Sequence, residues 1–371
     1  MTAISSSNLS VSPALLERQR SLQRWAQLQL PALGFGELAG DIVAVSGDAS
    51  FRRYFRGRAA ARSVVLVDAP PDKENSHPFV EIAHRLRAAG VRAPEVLAAD
   101  FAQGFLCLED FADQLLWPAL EQARVAADFA RAGQLYQRCL EELLLIQRAE
   151  ARQPPLPHYD DALLLREMRL FSEWFCAGLL QRPLTPAETA LVEDLFAHLS
   201  SAARQQVQVF VHRDYHSRNL MLLPNGGIGV IDFQDAVLGP ATYDLVSLLK
   251  DCYIEWPRSQ VNEWALEFAG QAQALGILPK LSPWQFLRDF DLMGAQRHLK
   301  VLGIFSRLWL RDGKSGYLKD IPLTFRYLQQ VVNEQPHCVA FAEWLETKIA
   351  PALPDALAQA QATAGQDKGT L

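Results

Sequence analysis

The segment Val209-Phe210-Val211-His212-Arg213-Asp214-Tyr215-His216-Ser217-Arg218-Asn219 constrains this chain more than any other. An apolar, strand-like run delivers His-x-Asp, and an asparagine stands five positions after the aspartate. Beyond it come Leu220-Met221-Leu222-Leu223, then Pro224-Asn225-Gly226-Gly227, then Ile228-Gly229-Val230-Ile231. Apolar runs flanking Asn-Gly turn chemistry specify a β-hairpin. A hairpin brings its ends together, so Asn219 at one mouth is expected beside Asp232 at the other, with Asp214 close by. A lone Asp or Asn in a loop mostly caps a turn. The joint pattern of strand, His-Arg-Asp, Asn, hairpin and Ile231-Asp232-Phe233 is far more restrictive.

One acid plus an Asn–Asp pair is what phosphoryl transfer by a kinase requires. The acid accepts the proton of the attacking hydroxyl, and the pair holds magnesium on the phosphates. The run His212 to Asn219 resembles the kinase catalytic loop without a gap. Asp214 is therefore the candidate base, and Asn219 and Asp232 are the candidate metal ligands. His212 is expected to support the loop through hydrogen bonds, and Asp244 to brace it or to cap the following helix.

The remaining composition fits a soluble enzyme. At 371 residues the chain has room for one long domain or two lobes. With 49% apolar residues, a sizeable core can form. A net charge of −6 argues against general nucleic-acid binding, which needs a basic footprint. Cys107, Cys139, Cys176, Cys252 and Cys338 are odd in number and show no CxxC spacing. They read as reduced thiols in a reducing compartment, and nothing suggests zinc. No signal peptide and no apolar stretch of membrane-spanning length is visible, so a cytoplasmic location without a membrane partner is expected.

Residues 1–11 are Ser-rich and expected to be disordered. Ser12-Pro13 is a helix start, followed by Leu15, Leu22, Trp25 and Leu28 at helical spacing. Runs at 42–45, 53–56 and 63–67 predict three antiparallel strands, residues 78–89 a helix, and 95–97 and 105–108 two more strands. After Asp110 helices are expected over roughly 125–149 and 161–180. A capping box at Thr185-Pro186-Ala187-Glu188 starts another. The tail from 356 is rich in Ala, Gln and Gly and expected to fray. The fold class is α+β, with a small antiparallel N-terminal lobe (1–111), a larger helical lobe (112–355) and a flexible tail (356–371).

This arrangement is bilobal and protein-kinase-like. His212 to Asn219, Ile231-Asp232-Phe233-Gln234-Asp235 and Gly239-Pro240-Ala241-Thr242-Tyr243-Asp244-Leu245 resemble the aminoglycoside and choline phosphotransferase branch of that superfamily. A narrower resemblance rests on Asp68-Ala69-Pro70-Pro71, Leu108-Glu109-Asp110-Phe111, the run Val230 to Tyr253, and Gln296 to Phe305. These look like the anomeric N-acetylmuramate/N-acetylglucosamine kinases of bacterial cell-wall recycling. The resemblance implies Mg2+ as cofactor, ATP as co-substrate and a free amino sugar as acceptor. Other acceptors of the same superfamily (choline, homoserine, an aminoglycoside) and a weakly active kinase-like binding module are the alternatives.

Carried over by position, the segment Ser46 to Tyr54 replaces the glycine-rich loop over the phosphates. Gly47 would permit close backbone approach and Ser50 would donate to a phosphate oxygen. Glu109 and Phe111 flank the segment whose backbone would meet adenine. The third strand departs from the kinase pattern, because Val64-Val65-Leu66-Val67-Asp68 carries no lysine. Glu81 is the candidate helix acid without its partner. Arg52 or Arg53, Lys73, or magnesium with backbone donors could substitute; the arginines are preferred, although such loop cations are often just a solvated face.

For the acceptor, residues 284–327 carry a local excess of base that includes Arg288, Arg297, Lys300, Arg307, Lys319 and Arg326. A basic pocket suits an acceptor with a carboxylate, which an arginine grips bidentately. Arg297, His298 and Arg307 are the candidate pocket residues, and Asp235 is expected to face sugar hydroxyls. His298 could equally be a core histidine.

Overall fold

The computed structural model describes residues 13–46, 51–60 and 62–366. The chain divides into two compact units, the first ending at Gln114 and the second running from Leu115 together with Ala89–Val91.

The first unit contains α1 (Pro13–Ala32), β1 (Val43–Ser46), β2 (Arg53–Ala59), β3 (Arg62–Asp68), α2 (His77–Ala88), β4 (Val96–Asp100) and β5 (Phe105–Glu109). The strands form one antiparallel sheet in the order β1-β2-β3-β5-β4, as expected for the fold class. Alternation along the strands divides the sheet into two faces. Phe55, Ala59, Val64, Leu66, Phe105 and Cys107 pack with Leu22, Trp25, Ala26 and Leu30 of α1 into one core. Tyr54, Arg56 and Arg58 of β2 lie on the opposite face.

The second unit is mostly helical. Its helices are α3 (Leu116–Val125), α4 (Phe129–Arg148), α5 (Asp161–Leu170, continued by a π-helical stretch Phe171–Leu179), α6 (Pro186–Gln205), α7 (Tyr243–Leu249), α8 (Arg258–Ala274), α9 (Pro283–Leu310), α10 (Ile321–Glu334), α11 (Val339–Trp344) and α12 (Leu353–Gln366). The helix expected from 125 begins instead at Phe129, after a separate α3. Ala127 takes a left-handed φ of 52°, and the Asp128 side chain accepts from Arg131 N–H as an N-cap. Such a break is the N-cap signature of an aspartate after a small-residue turn. Thr185 and Glu188 form the expected capping box. The Ala-rich stretch from 356, expected as a flexible tail, lies in α12 as far as Gln366; alanine is the strongest helix former.

Helix α9 is the axis of this unit, buried from Phe290 through Gly303 along most of its length. A Cβ on Gly303 would stand 2.3 Å from the Leu170 carbonyl carbon, so glycine there is what lets α9 approach α5. Four short strands carry the segment from His212 to Asp232. These are β6 (Gln208–Val211), β7 (Leu220–Leu222), β8 (Ile228–Val230) and β9 (Val237–Pro240). The expected hairpin is β7–β8, with Leu220 opposite Val230 and Leu222 opposite Ile228. β9 was not anticipated; it pairs antiparallel with β6, Val211 opposite Val237.

Candidate active site

Strand β6 delivers the chain to His212, and two features hold the loop that follows. The buried Asp244 carboxylate, at the start of α7, accepts from His212 N–H at 2.7 Å and from Arg213 N–H at 3.0 Å. Burial pushes the Asp244 carboxyl up to about 7, against the two N–H bonds that favour its charged form. The fully buried His212 ring spends both nitrogens on the backbone, with Nδ1 accepting from Asp214 N–H at 3.2 Å and Nε2 donating to Ile231 O at 3.1 Å. Burial pushes this imidazole down to about 4, so it is neutral near pH 7, and with both nitrogens engaged it is unavailable as a base. Arg213 takes φ 77° and Asp232 φ 65°. Left-handed backbone at non-glycine residues costs roughly 1–3 kcal/mol each and clusters at functional sites.

The hairpin brings Asn219 and Asp232 together. Ile231 N–H donates to Asn219 O at 3.1 Å, closing the mouth. The Asn219 amide donates to Asp232 Oδ2 at 3.2 Å and to the Asp214 carbonyl at 3.1 Å. The Gln234 amide holds Asp232 Oδ1 at 2.9 Å. Asp232 is exposed, and the Asn219 amide nitrogen is engaged by Asp214 O and Asp232 Oδ2, which leaves its oxygen to meet a metal. Hard oxygens from one carboxylate and one amide suit magnesium, which is usually completed by phosphate oxygens and water. Among the described residues no cluster of three or more His, Cys, Asp and Glu could hold a metal by itself.

Asp214 is half-buried. Burial pushes its carboxyl up, but the Lys300 ammonium, the flanking histidines and Arg213 outweigh this and hold it below the ordinary value. The carboxylate is therefore charged and able to accept a proton. Behind it lies a buried polar network that sequence reasoning missed. Lys300 Nζ donates to Tyr243 OH at 2.9 Å and stands 3.1 Å from Glu167 Oε1. Arg213 donates to the same oxygen at 2.6 Å, Tyr159 OH donates to Glu167 Oε2, and Gln296 donates to Tyr159 OH at 3.3 Å. Glu167 stays ionised despite its burial because two cations share it. Only the helical position of Glu167 and Lys300 on apolar faces could have signalled this.

The other expected site residues divide. Gly47 and Ser50 lie outside the described residues. Arg53 is committed to the fully buried Asp68 at the end of β3, together with Arg18 of α1, and to the Leu15 carbonyl. Arg52 is buried, 3.4 Å from Glu74, with its guanidinium over Phe79. Glu81 pairs with Arg85, and Lys73 stands over the Phe51 ring. The strand end that carries lysine in kinases thus carries an acid turned toward α1, and it is satisfied there by two arginines. Glu109 accepts from Arg87, Arg92 and Glu95 N–H, and Phe111 is buried. Sequence reading also passed over Arg56 and Arg58, which line a cavity of about 380 Å³ with Val43, Val45 and Asp113; their alternation with Phe55 and Gly57 was the available signal.

The acceptor candidates differ in burial and in partners. Asp235 is exposed, and its carbonyl takes Arg213 Nη1. Arg297 is buried, with Nη1 3.3 Å from Cys252 Sγ. His298 is fully buried, stacked on Tyr327 and hydrogen-bonded to Lys250 O, which is the core-histidine alternative. Arg307 is half-buried, with Nε lacking a hydrogen-bond partner. Much of the basic excess of this region is neutralised locally, Lys300 by Glu167, Arg311 by Asp312 and Arg326 by Glu255.

The profile of the phosphotransferase enzyme family matches residues 41–284. An N-acetylmuramate/N-acetylglucosamine kinase of Pseudomonas putida is 43% identical over 332 residues, covering 88% of this chain and 95% of that protein. The protein of the same name from Pseudomonas aeruginosa is 41% identical, covering 88% and 96%. Among solved structures, a thermostable mutant of an aminoglycoside phosphotransferase, in ternary complex with AMP-PNP and hygromycin B, superimposes with a TM-score of 0.53. It shares 17% identity and covers 85% of this chain and 99% of its own, which establishes a common fold. The chain therefore belongs to the phosphotransferase enzyme family and, within it, to the N-acetylmuramate/N-acetylglucosamine kinases.

Proposed function

We propose that this kinase transfers the γ-phosphoryl group of ATP to the anomeric hydroxyl of N-acetylmuramate and of N-acetylglucosamine. The observation that carries the chemistry is the constellation of Asp214, Asn219 and Asp232 about one hairpin mouth; the family membership carries the acceptor. Asp214 orients the acceptor hydroxyl and takes its proton. A hemiacetal hydroxyl is more acidic than an ordinary alcohol, so a carboxylate with a lowered pKa suffices. Asn219 and Asp232 would hold magnesium, which when bound neutralises charge on the phosphates. Positioning and electrostatics then carry most of the rate. Because Arg52 and Arg53 are committed to Glu74 and Asp68, the phosphate contacts are assigned to magnesium and to backbone and side-chain donors about Gly47 and Ser50. The backbone beside Glu109 and Phe111 is assigned to adenine, and Asp235, beside the metal ligands in sequence, to sugar hydroxyls. A cytoplasmic location is in keeping with ATP as co-substrate.

Borohydride reduction of the sugar removes the anomeric centre and tests the assignment. The intact sugars are expected to accept phosphate from ATP and lose their reducing end. Efficient phosphorylation of the reduced sugars would move the reaction to another hydroxyl.

A further inference from the structure

We infer that Arg218, held in an aromatic sandwich at the wall of a cavity beside the catalytic loop, is the residue that binds the carboxylate of an acidic amino-sugar acceptor. The inference rests on the proposed function and adds a specificity site to it.

A cavity of about 280 Å³ in the helical unit is lined by Trp117, Arg218, Tyr253, Lys319 and Asp320, among others. Ligand pockets begin at roughly 300 Å³, so this space suits a monosaccharide or a part of one. The Arg218 guanidinium lies 3.5 Å from the centre of the Tyr253 ring and 5.3 Å from that of Trp117. No carboxylate among the described residues comes within ion-pair distance of it. The other charges on the wall are differently placed. Arg124 is bonded through Nε and Nη2 to Glu121, and Glu255 is paired with Arg326. That leaves Arg218 and the exposed Lys319 facing Asp320, whose Oδ2 is buried without a hydrogen-bond partner.

The platform is built, and it is tied to the reacting groups. The fully buried Asp251 carboxylate accepts from Ser217 N–H at 3.0 Å and Ser217 Oγ at 2.5 Å, and from Tyr253 N–H at 3.2 Å. One carboxylate thus fixes both the residue before Arg218 and the ring beneath it. Trp117 N–H donates to Ser217 O at 3.0 Å, locating the second ring. Tyr253 also meets the His216 ring edge-on at 5.6 Å, and Arg218 immediately precedes Asn219. A planar guanidinium pre-oriented by stacking loses little freedom when its fork engages a carboxylate. An acceptor bearing a carboxylate engages the open guanidinium fork; a neutral amino sugar does not. By contrast Arg297 is buried, with Nη1 on Sγ of Cys252, a residue of the same cavity wall, and is not itself among the lining residues.

The test compares three acceptors with wild-type protein and Arg218→Leu: N-acetylmuramate, its methyl ester and N-acetylglucosamine. Charge-assisted hydrogen bonds to a carboxylate correspond to about a 10–100-fold effect. Wild type is expected to lose that factor in kcat/KM on esterification. Arg218→Leu is expected to lose it on N-acetylmuramate, to change little more on esterification, and to fall much less on N-acetylglucosamine. Arg218→Lys should recover part of the muramate activity. Equal losses on all three acceptors would make Arg218 a loop-supporting residue and overturn the inference. A rise in the KM for ATP of the same size with each sugar would assign it to the nucleotide and also overturn it. If Arg218→Leu does not fold, the wild-type comparison of acid and ester still decides: equal kcat/KM for the two excludes any carboxylate site. Failure of wild type to phosphorylate either free sugar would instead remove the proposed function itself.

Discussion

The side-chain amide of Asn219 donates to Asp232 Oδ2 at 3.2 Å across the mouth of the β7–β8 hairpin. A pair distant by a whole turn and two strands is thereby set as one oxygen-donor edge, with the Asp214 carbonyl bonded to the same amide. Asp232→Ala is expected to abolish magnesium-dependent ATP binding and Asn219→Ala to weaken it. Titration calorimetry showing unchanged Mg-ATP affinity in Asp232→Ala would refute the metal assignment.

In the proposed mechanism Asp214→Asn removes the proton acceptor without removing a phosphate contact. It is expected to lower kcat by roughly 10²–10⁴-fold, the range for a general base, with ATP affinity kept. Steady-state kinetics with most of the wild-type kcat retained would exclude the role.

His212 gives stability a pH dependence. Its folded pKa is about 4, against 6.5 for a free imidazole, so the unfolded chain binds the extra proton first. The contribution is complete above 6.5 and is lost as pH falls toward 4. Asp244, raised to about 7, acts oppositely, adding stability at low pH that is lost as pH rises through 7. In His212→Gln the rise of unfolding free energy between pH 4 and 6.5 should be shallower than in wild type by up to about 1.4 kcal/mol per pH unit. Denaturant melts at several pH values measure this; equal slopes would mean that His212 protonates in the folded protein.

Lys300→Met should cost about 2–4 kcal/mol of stability, because it leaves the buried Glu167 with Arg213 as its only cation. Adding Glu167→Gln to Lys300→Met should recover part of that loss through coupling in the network. Additive losses in the double variant would show that the two side chains do not share an energetic contact.

Arg53→Met should destabilise the N-terminal unit by about 2–4 kcal/mol, since the fully buried Asp68 loses one of two arginines. The KM for ATP should stay within about threefold of wild type, on the same reasoning that a residue spent on Asp68 is not a phosphate ligand. A tenfold rise in that KM with unchanged stability would return Arg53 to the nucleotide site.

The geometry of the candidate site was legible because its information is local. Spacing within His212 to Asn219 and the turn at Pro224 to Gly227 bring three chemical groups together through contiguous backbone, and the five-stranded sheet follows from alternation and short turns. Sequence alone also determined the family, since the motif carries the chemistry. What only the tertiary structure decided is which charges are already spent. Arg53 and Asp68, Lys300 and Glu167, and Lys250 and Asp291 meet through packing of elements far apart in the chain, and no spacing rule links them. A basic stretch reads the same whether its cations face solvent, a ligand or a buried acid. Arg218, by contrast, sits in the plainest part of the motif, and only the positions of Trp117 and Tyr253 distinguish it from a solvated loop residue. Local order follows from backbone chemistry, whereas the availability of a charge depends on long-range burial and on the partners that burial supplies.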